Sequence, residues 1–324
     1  MHAMLVNAFG EPEDLRWTEL PDPEPGPGQV VVDVRAVGCN LADILIVQGK
    51  YQYKPPFPFA PGMEAAGVVR ALGPGVEGLE QGQRVLVHPR AGAYATCICA
   101  DASDVFAIPD AMPFEDAAAF PIVYQTSYFA LVYRAPLLAG QTLLVHGAAG
   151  GVGLSAVQIG KALGARVLAT AGSADKREFV LAQGADAVFD SRDPGWVDWV
   201  KAQTDGRGAD HIYDPVGGDV FDRSLKCIAF SGSLHVIGFA SGRIPEAAMN
   251  RVLLKNISLV GLHWGAYRDH DPERIGEGMA ALLRMYEAGQ LQVEIGHRYP
   301  LEQAPKALAD IAGRRARGKI VLTV

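Results

Sequence analysis

The sequence has little cysteine, no long apolar run and no block of charge of one sign. Four cysteines in 324 residues, Cys39, Cys97, Cys99 and Cys227, do not make a disulfide framework, so a reducing, cytoplasmic setting is expected. Lys, Arg, Asp or Gln interrupts every apolar segment before it could span a bilayer, and no membrane partner is expected. With 29 basic and 36 acidic residues the formal charge is −7, and no basic stripe offers itself to nucleic acid. The one local exception, "RRARGK" from Arg314 to Lys319, is too short to outweigh this. Heptads, solenoid repeats and low-complexity tails are also missing. "MHAMLVNAF" has no basic stretch leading into a long apolar one and reads as a first strand rather than a signal peptide. What remains, 49% hydrophobic and 20% charged, is an ordinary globular chain with room for about two domains at ~150 residues each.

Two textures divide it. Residues 1–122 are strand-and-turn material. "QVVVDVRAVG" alternates, placing Val30, Val32, Val34 and Ala36 on one face, and dense Pro and Gly in "PDPEPGPGQ" and "YKPPFPFAPG" punctuate similar short strands. A compact, mostly β domain with few helices is expected. "FPIVYQTSYFALVYRA" then reads as a helix. After it, apolar runs "TLLVH", "RVLAT", "DAVFD", "HIYD", "SLHVIGF" and "ISLVGL" alternate with helical patterns near 152–163, 175–183, 196–203 and 219–228. Buried strands separated by helices predict an α/β fold with a doubly wound parallel sheet over 123–260. One long helix, "ERIGEGMAALLRMYEAG", and a last strand, "GKIVLTV", are read as 261–324 returning to the first domain, with a cleft between the two.

"HGAAGGVG", residues 146–153, stands between the first of these strands and its helix. From Ala148 to Gly153 the spacing is A-x-G-x-x-G, one residue away from the dinucleotide fingerprint. Small residues allow a tight turn, close approach of a pyrophosphate to bare N–H groups, and tight helix–strand packing. The helix keeps Val152, Ala156, Ile159 and Leu163 on one face and aims its N-terminal amides at an anion. The second strand ends "ATAGSADKREF", with no acid at Ala171, Gly172 or Ser173 to accept from a ribose 2′-OH. Ser173 and Lys176 could instead hold a 2′-phosphate, which favours NADPH; Arg177 and Lys176 would otherwise be the solvated start of a helix.

Five segments carry a resemblance that covers essentially the whole chain: "GCNLADILIVQGKY", "PFAPGMEAAGVV", "HGAAGGVG", "GRGADHIYDPVGG" and "VIGFASG". The chain resembles the medium-chain dehydrogenase/reductase superfamily, in its zinc-free quinone oxidoreductase (zeta-crystallin-like) branch. The resemblance implies a Rossmann doubly wound parallel sheet inserted in a GroES-like, mostly β catalytic domain, NADPH as cofactor, and a homodimer formed through the cofactor domain. Zinc-dependent relatives carry a cysteine where Asn40 stands in "GCNLAD" and a histidine where Met63 stands in "PGMEAAG". An amide and a thioether do not replace a thiolate and an imidazole around zinc, and the four-cysteine structural lobe is absent, so no metal is expected. Cys97-x-Cys99 reads as buried structural cysteine.

Carried over by motif, Asn40 and Thr126 are expected by the nicotinamide, and Ala149, Gly150, Gly151, Val152 and Gly153 under the pyrophosphate. Ser173, Lys176 and Ser191 fall at the adenosine ribose and its 2′-phosphate. Ile237, Gly238, Phe239 and Ala240, with His263, Trp264 and Gly265, flank the nicotinamide half, and Arg314 reaches the adenosine phosphates. Two positions depart from the branch, which often has tyrosine at Leu45 and at Ser191.

Without a Lewis acid, acceptors must spread the incoming charge themselves: quinones, and alkenes conjugated to a carbonyl. Asn40 and Tyr51 are the polar groups expected to orient or protonate such an acceptor. Tyr51, Tyr53, Phe57 and Phe59 supply flat walls, with Trp264 and Tyr267 facing them, unless these rings only pack their own loop. His88, His146 and His235 read as core residues. The leading expectation is therefore an NADPH-dependent quinone oxidoreductase. An ene-type reductase of 2-alkenals, enones or acryloyl thioesters is the alternative that Leu45 favours. An NADPH-binding structural or RNA-binding crystallin-like protein is a third, which the acidic charge disfavours.

Overall fold

The protein is described by a computed structural model covering residues 1–324. It divides into two compact units, Met1–Ile122 with Val293–Val324, and Val123–Gln292.

The first unit is built on a seven-stranded sheet around the long strand Gln29–Cys39, which pairs antiparallel with Ala65–Leu72, Lys319–Thr323 and Cys97–Asp101. Val30, Val32 and Val34 do share one core, but Val37 rather than Ala36 continues it. The register slips between Val34 and Ala36, and a bulge of one residue exchanges the faces of everything beyond it. Straight after this strand comes the helix Leu41–Val47, which the dense turn signals of this half concealed. Its start is capped from within: Asn40 is extended, the Asp43 carboxylate three residues on accepts the Asn40 N–H at 2.8 Å, and the Asp43 N–H bonds the Asn40 main-chain carbonyl at 3.1 Å. Ile44, Ile46 and Val47 bury the inner side of the helix, and Gly49, at φ +67°, allows the chain to turn away.

The second unit carries six parallel strands in the order Ala187–Asp190, Arg166–Ala171, Thr142–Val145, Ala209–Asp214, Ile228–Val236, Ser258–Gly261. This is the doubly wound arrangement, with its switch point between Thr142–Val145 and Ala209–Asp214, where such sheets bind ligands. The helix after the glycine loop, Gly151–Ala162, is buried from Gly153 through Gly160 and not along one stripe. A second layer closes its outer side: Tyr124 donates to Gln158 Oε1 at 2.8 Å and Ser127 meets Ser155 at 2.8 Å. The expected helix at 120–135 is α-helical over Pro121–Tyr128 and continues as a π-helix over Phe129–Arg134.

The chain returns to the first unit at Val293, not at 261. The long helix Pro272–Glu287 belongs to the second unit, because Gln125 donates to the Ile275 carbonyl at 2.9 Å while Tyr124 and Gln158 bond the Gln292 carbonyl at 2.9 and 2.8 Å. The returning segment holds a strand, Ile295–Pro300, and a helix, Ala304–Ala312, beside the expected last strand.

Candidate active site

The sequence candidates fall in both units. In the second, the loop from His146 to Gly150 leaves Thr142–Val145 and turns at Gly147, φ +59°. Ala148 N–H bonds the Thr170 carbonyl at 3.1 Å, and Gly150 N–H bonds that of Gly147 at 3.0 Å. The helix makes its first internal bond from Leu154 N–H to Gly150 O, at 2.8 Å. The amides of Gly151, Val152 and Gly153 precede that bond and have no acceptor in the helix. A Cβ on Gly153 would stand 2.8 Å from the Ala148 Cα and closer still to the Gly147 carbonyl oxygen. A Cβ on Gly150 would meet only Gly147 O, at 3.5 Å. Gly153 therefore serves the close packing of helix on loop, while Gly150 keeps the outer surface of the loop bare. A pyrophosphate fits this cradle. Under it, Ser127 Oγ holds the Val152 carbonyl at 3.0 Å and is itself tied to Ser155 and Tyr213 at 2.8 and 2.9 Å.

Beside this loop, Ser173 caps the helix Ala174–Ala182, its Oγ accepting Lys176 N–H at 3.3 Å. Ser191 joins it: its N–H bonds Ala171 O at 3.1 Å, and its Oγ would lie 3.6 Å from a Cβ on Gly172. Arg177 is held away by Asp190, at 2.9 Å. Hydrogen bonds from Arg192, with the nearby charges of Arg192 and Arg177, keep the Asp190 carboxyl below the ordinary range. Ile237, Gly238, Phe239 and Ala240 leave the fifth strand and fold over the loop after the fourth, through Ile237 N–H to Asp214 O at 3.0 Å and Ala240 N–H to Pro215 O at 3.1 Å. Asp214 anchors that loop by accepting from Val216 and Gly217 at 2.8 and 2.9 Å. His263, Trp264 and Gly265 follow the sixth strand. Trp264 and Tyr267 both lie edge-on to Phe129, at 6.4 and 4.7 Å. Thr126 lies on Pro121–Tyr128, half-buried.

The histidines of the sheet are core residues. His146 lies between Thr170 and Ser224, at 2.9 and 3.0 Å, and burial lowers its pKa to about 3. His235 stacks on His211, with 3.0 Å between ring nitrogens, and burial holds it neutral too.

In the first unit, Asn40 is 8% exposed and its carboxamide is engaged at both ends. Its Nδ2 donates to Glu64 Oε1 at 2.7 Å, and its Oδ1 accepts from Lys319 Nζ at 2.7 Å. Lys319 also reaches Glu64 Oε1 at 2.6 Å and the Cys39 carbonyl at 2.9 Å, while Glu64 Oε2 accepts Ile122 N–H at 2.9 Å. Gly38 makes the space, since a Cβ there would stand 2.7 Å from Glu64 Cδ. Glu64 and Lys319 were not recognised in the sequence as site residues. The available signal was a lysine opening an otherwise apolar last strand. Met63 is packed in the core, and burial pushes the Cys39 thiol up to about 12. No three His, Cys, Asp or Glu side chains converge anywhere in the chain to hold a metal. Tyr51 is half-buried against the same core, and burial together with the charge of Asp43 raises its phenol. Among the aromatic residues of the loop, Phe57 packs on Phe9 and Phe59 at 4.7 and 5.6 Å. Arg314 is exposed, at φ +54°.

Parallel sheet, glycine cradle and GroES-like partner unit together define a dinucleotide-binding dehydrogenase/reductase of the medium-chain type. Residues 26–110 match the family model of the alcohol dehydrogenase GroES-like domain, and residues 151–283 that of the zinc-binding dehydrogenases. A quinone oxidoreductase-like protein 2 homolog from Nematostella vectensis is 40% identical over 99% of this chain and 88% of its own. The quinone oxidoreductase of Homo sapiens is 34% identical over 99% and 97%. The crystal structure of Escherichia coli quinone oxidoreductase complexed with NADPH superposes with a TM-score of 0.94 at 30% identity, covering 100% of both chains. The chain belongs to the quinone oxidoreductase branch of the medium-chain dehydrogenase/reductase superfamily.

Proposed function

We propose that the protein is an NADPH-dependent, zinc-independent reductase of quinones and related conjugated carbonyl compounds. One observation carries the chemistry. The two positions where zinc-dependent relatives hold their metal are a carboxamide tied to an ammonium–carboxylate pair, Asn40 with Lys319 and Glu64, and a core thioether, Met63. Neither supplies a Lewis acid, so the acceptor must delocalise the charge it receives.

Gly150 to Gly153 and Ala149 hold the pyrophosphate on main-chain amides, and Ser173, Lys176 and Ser191 take the 2′-phosphate and its ribose. Ile237 to Ala240, His263 to Gly265 and Thr126 flank the nicotinamide, and Arg314 reaches the adenosine phosphates. When bound, NADPH supplies a hydride at its nicotinamide ring. Asn40 and Tyr51 orient the acceptor by hydrogen bonds to its carbonyl oxygen, and water serves as the proton source. Leu45 favours a second reading, ene-type reduction of 2-alkenals, enones or acryloyl thioesters. It stands half-buried where the branch often has tyrosine, and its main-chain carbonyl accepts from Tyr51 N–H at 3.1 Å. Oxidation of NADPH and NADH against matched panels of quinones and conjugated alkenes tests both readings. Turnover with alkenes alone removes the quinone assignment, and turnover with neither removes the function.

The assembly we propose is a homodimer through the second unit. Ser258–Gly261 is a sheet edge, and the helix Met249–Lys255 near it buries none of its residues. Leu253 and Leu254 are both 73% exposed; Met249 at the start of that helix, Ile244 in the chain before it and Phe230 in the neighbouring strand Ile228–Val236 are exposed as well. An unpaired strand edge with adjacent bare leucines is a surface that a second copy would cover.

A further inference from the structure

We infer that Lys319, acting with Glu64, is a positioning residue that fixes Asn40 as a hydrogen-bond donor to the carbonyl oxygen of the acceptor. The inference rests on the reading of Asn40 as an acceptor-orienting residue and specifies how that side chain is set.

The argument is an inventory of donors and acceptors. The three ammonium protons of Lys319 go to Cys39 O, Asn40 Oδ1 and Glu64 Oε1, at 2.9, 2.7 and 2.6 Å. Glu64 Oε1 takes the lysine and one Asn40 amide proton, and Oε2 takes the Ile122 N–H. Lys319 is 5% exposed and Glu64 0%, so water competes for neither. A carboxamide has two amide protons to give, and only one is used within this cluster. The second is the donor the cluster leaves open.

The same partners fix which end of the amide is which. An ammonium only donates and a carboxylate only accepts, so turning the amide over would set NH₂ against NH₃⁺ and C=O against COO⁻. An asparagine with neutral neighbours could present either end. This one is locked as a donor, suited to an oxygen that gains negative charge as the acceptor is reduced. The ammonium on Oδ1 also draws electron density from the amide and strengthens the remaining N–H as a donor. Sequence spacing gives no hint of the arrangement, because Lys319 and Glu64 stand 255 residues apart.

A purely structural ion pair, tying Lys319–Thr323 to Gln29–Cys39, would show the same distances. A double-mutant cycle separates the two roles. The ion pair is replaced in two ways: by the charge-neutral exchange Glu64→Gln with Lys319→Met, which strands no ion, and by Lys319→Gln, which offers Asn40 a neutral donor. A folding failure in one leaves the other to decide. Each is measured alone and with Asn40→Ala, reading kcat and KM for a quinone and an enone, NADPH affinity by fluorescence, and melting temperature.

Asn40→Ala is expected to lower kcat/KM for the acceptor at least about tenfold, the worth of one hydrogen bond to a developing charge. The exchange should lower acceptor turnover about tenfold and Lys319→Gln severalfold, with NADPH affinity held within about twofold; both effects should vanish in the Asn40→Ala background. Equal losses with and without Asn40, or no loss in the wild-type background, overturn the inference and leave the site reading intact. Unchanged turnover in Asn40→Ala itself overturns the site reading and the inference with it.

Discussion

Asp43 offers a test of the interior of the first unit that needs no substrate. Its carboxylate is 0% exposed; Oδ2 accepts Asn40 N–H at 2.8 Å and Tyr94 OH at 3.1 Å, and Oδ1 meets no donor. Burial raises its pKa from 3.8 to about 7, opposed by the Asn40 hydrogen bond and the Lys319 charge and assisted by Glu64. Below about pH 4 the group is protonated whether the chain is folded or not. Between about pH 4 and 7 only the folded state holds the proton, so stability falls as pH rises, by ~1.4 kcal/mol per unit. Above 7 the loss is complete. From pH 5 to pH 8 this one group removes about 3 kcal/mol.

Asp43→Asn keeps both Oδ2 contacts and abolishes the titration. Its NH₂, unpartnered where Oδ1 was, costs about 1–3 kcal/mol at every pH. From pH 5 to pH 8 the variant should therefore gain about 3 kcal/mol of stability relative to the wild type and should be the more stable of the two at pH 8. Cys39 and Tyr94 titrate far above this window, and His146 and His235 are shared by both proteins and cancel. Urea unfolding followed by circular dichroism at each pH from 5 to 8 gives the difference directly. A stability gap that stays constant across that range refutes the buried-carboxyl reasoning.

Gly153→Ala forces helix and loop apart, and we expect a loss of about 1–3 kcal/mol in urea unfolding together with loss of NADPH binding in fluorescence titration. Gly150→Ala, with 3.5 Å to its nearest neighbour, should leave stability unchanged and weaken only NADPH. Lys176→Glu should raise the KM for NADPH about tenfold or more and spare that for NADH; an unchanged preference shows that this lysine faces solvent. Leu253→Asp with Leu254→Asp should halve the molar mass measured by light scattering, and a monomeric wild type would end the dimer proposal.

The second unit was legible because its signals are local. A parallel sheet buried on both faces writes each strand as an unbroken apolar run, and "TLLVHGAAGGVG" holds strand, turn and helix start within one stretch. The missed elements lack such a signature. Met249–Lys255 buries no residue and so has no stripe to read. Ala304–Ala312 carries Pro305 in its first turn, where proline fits a helix but resembles a breaker. Leu41–Val47 starts on Asn-x-x-Asp, a cap signal present in the sequence but obscured by the turns around it. The boundary placed at 261 failed for another reason. Gln125, Tyr124 and Gln158 bind the Pro272–Gln292 segment to the cofactor sheet, and side chains more than a hundred positions apart leave no periodicity.

At the site, single residues were easier to read in the sequence than the cluster they form. Asn40 and Met63 were visible as residues that cannot bind zinc, because a ligand's identity is a property of one position. The hydrogen-bonded cluster around Asn40 is a property of three, brought together by the pairing of Ile320 with Cys39 and of Val37 with Ala65. "RRARGK" stands out in the sequence only as a short basic run, yet its last residue is 5% exposed while Arg315 is tied to Asp310 at the surface. Placing a lysine at the head of "KIVLTV", in the core of a mixed sheet, requires a buried anion and enough acceptors for three protons. Glu64 and the Cys39 carbonyl meet that requirement, and the third acceptor is Asn40. The burial of Lys319 and the orientation of Asn40 thus have one physical origin: the acceptors that a buried ammonium requires include the asparagine's own Oδ1.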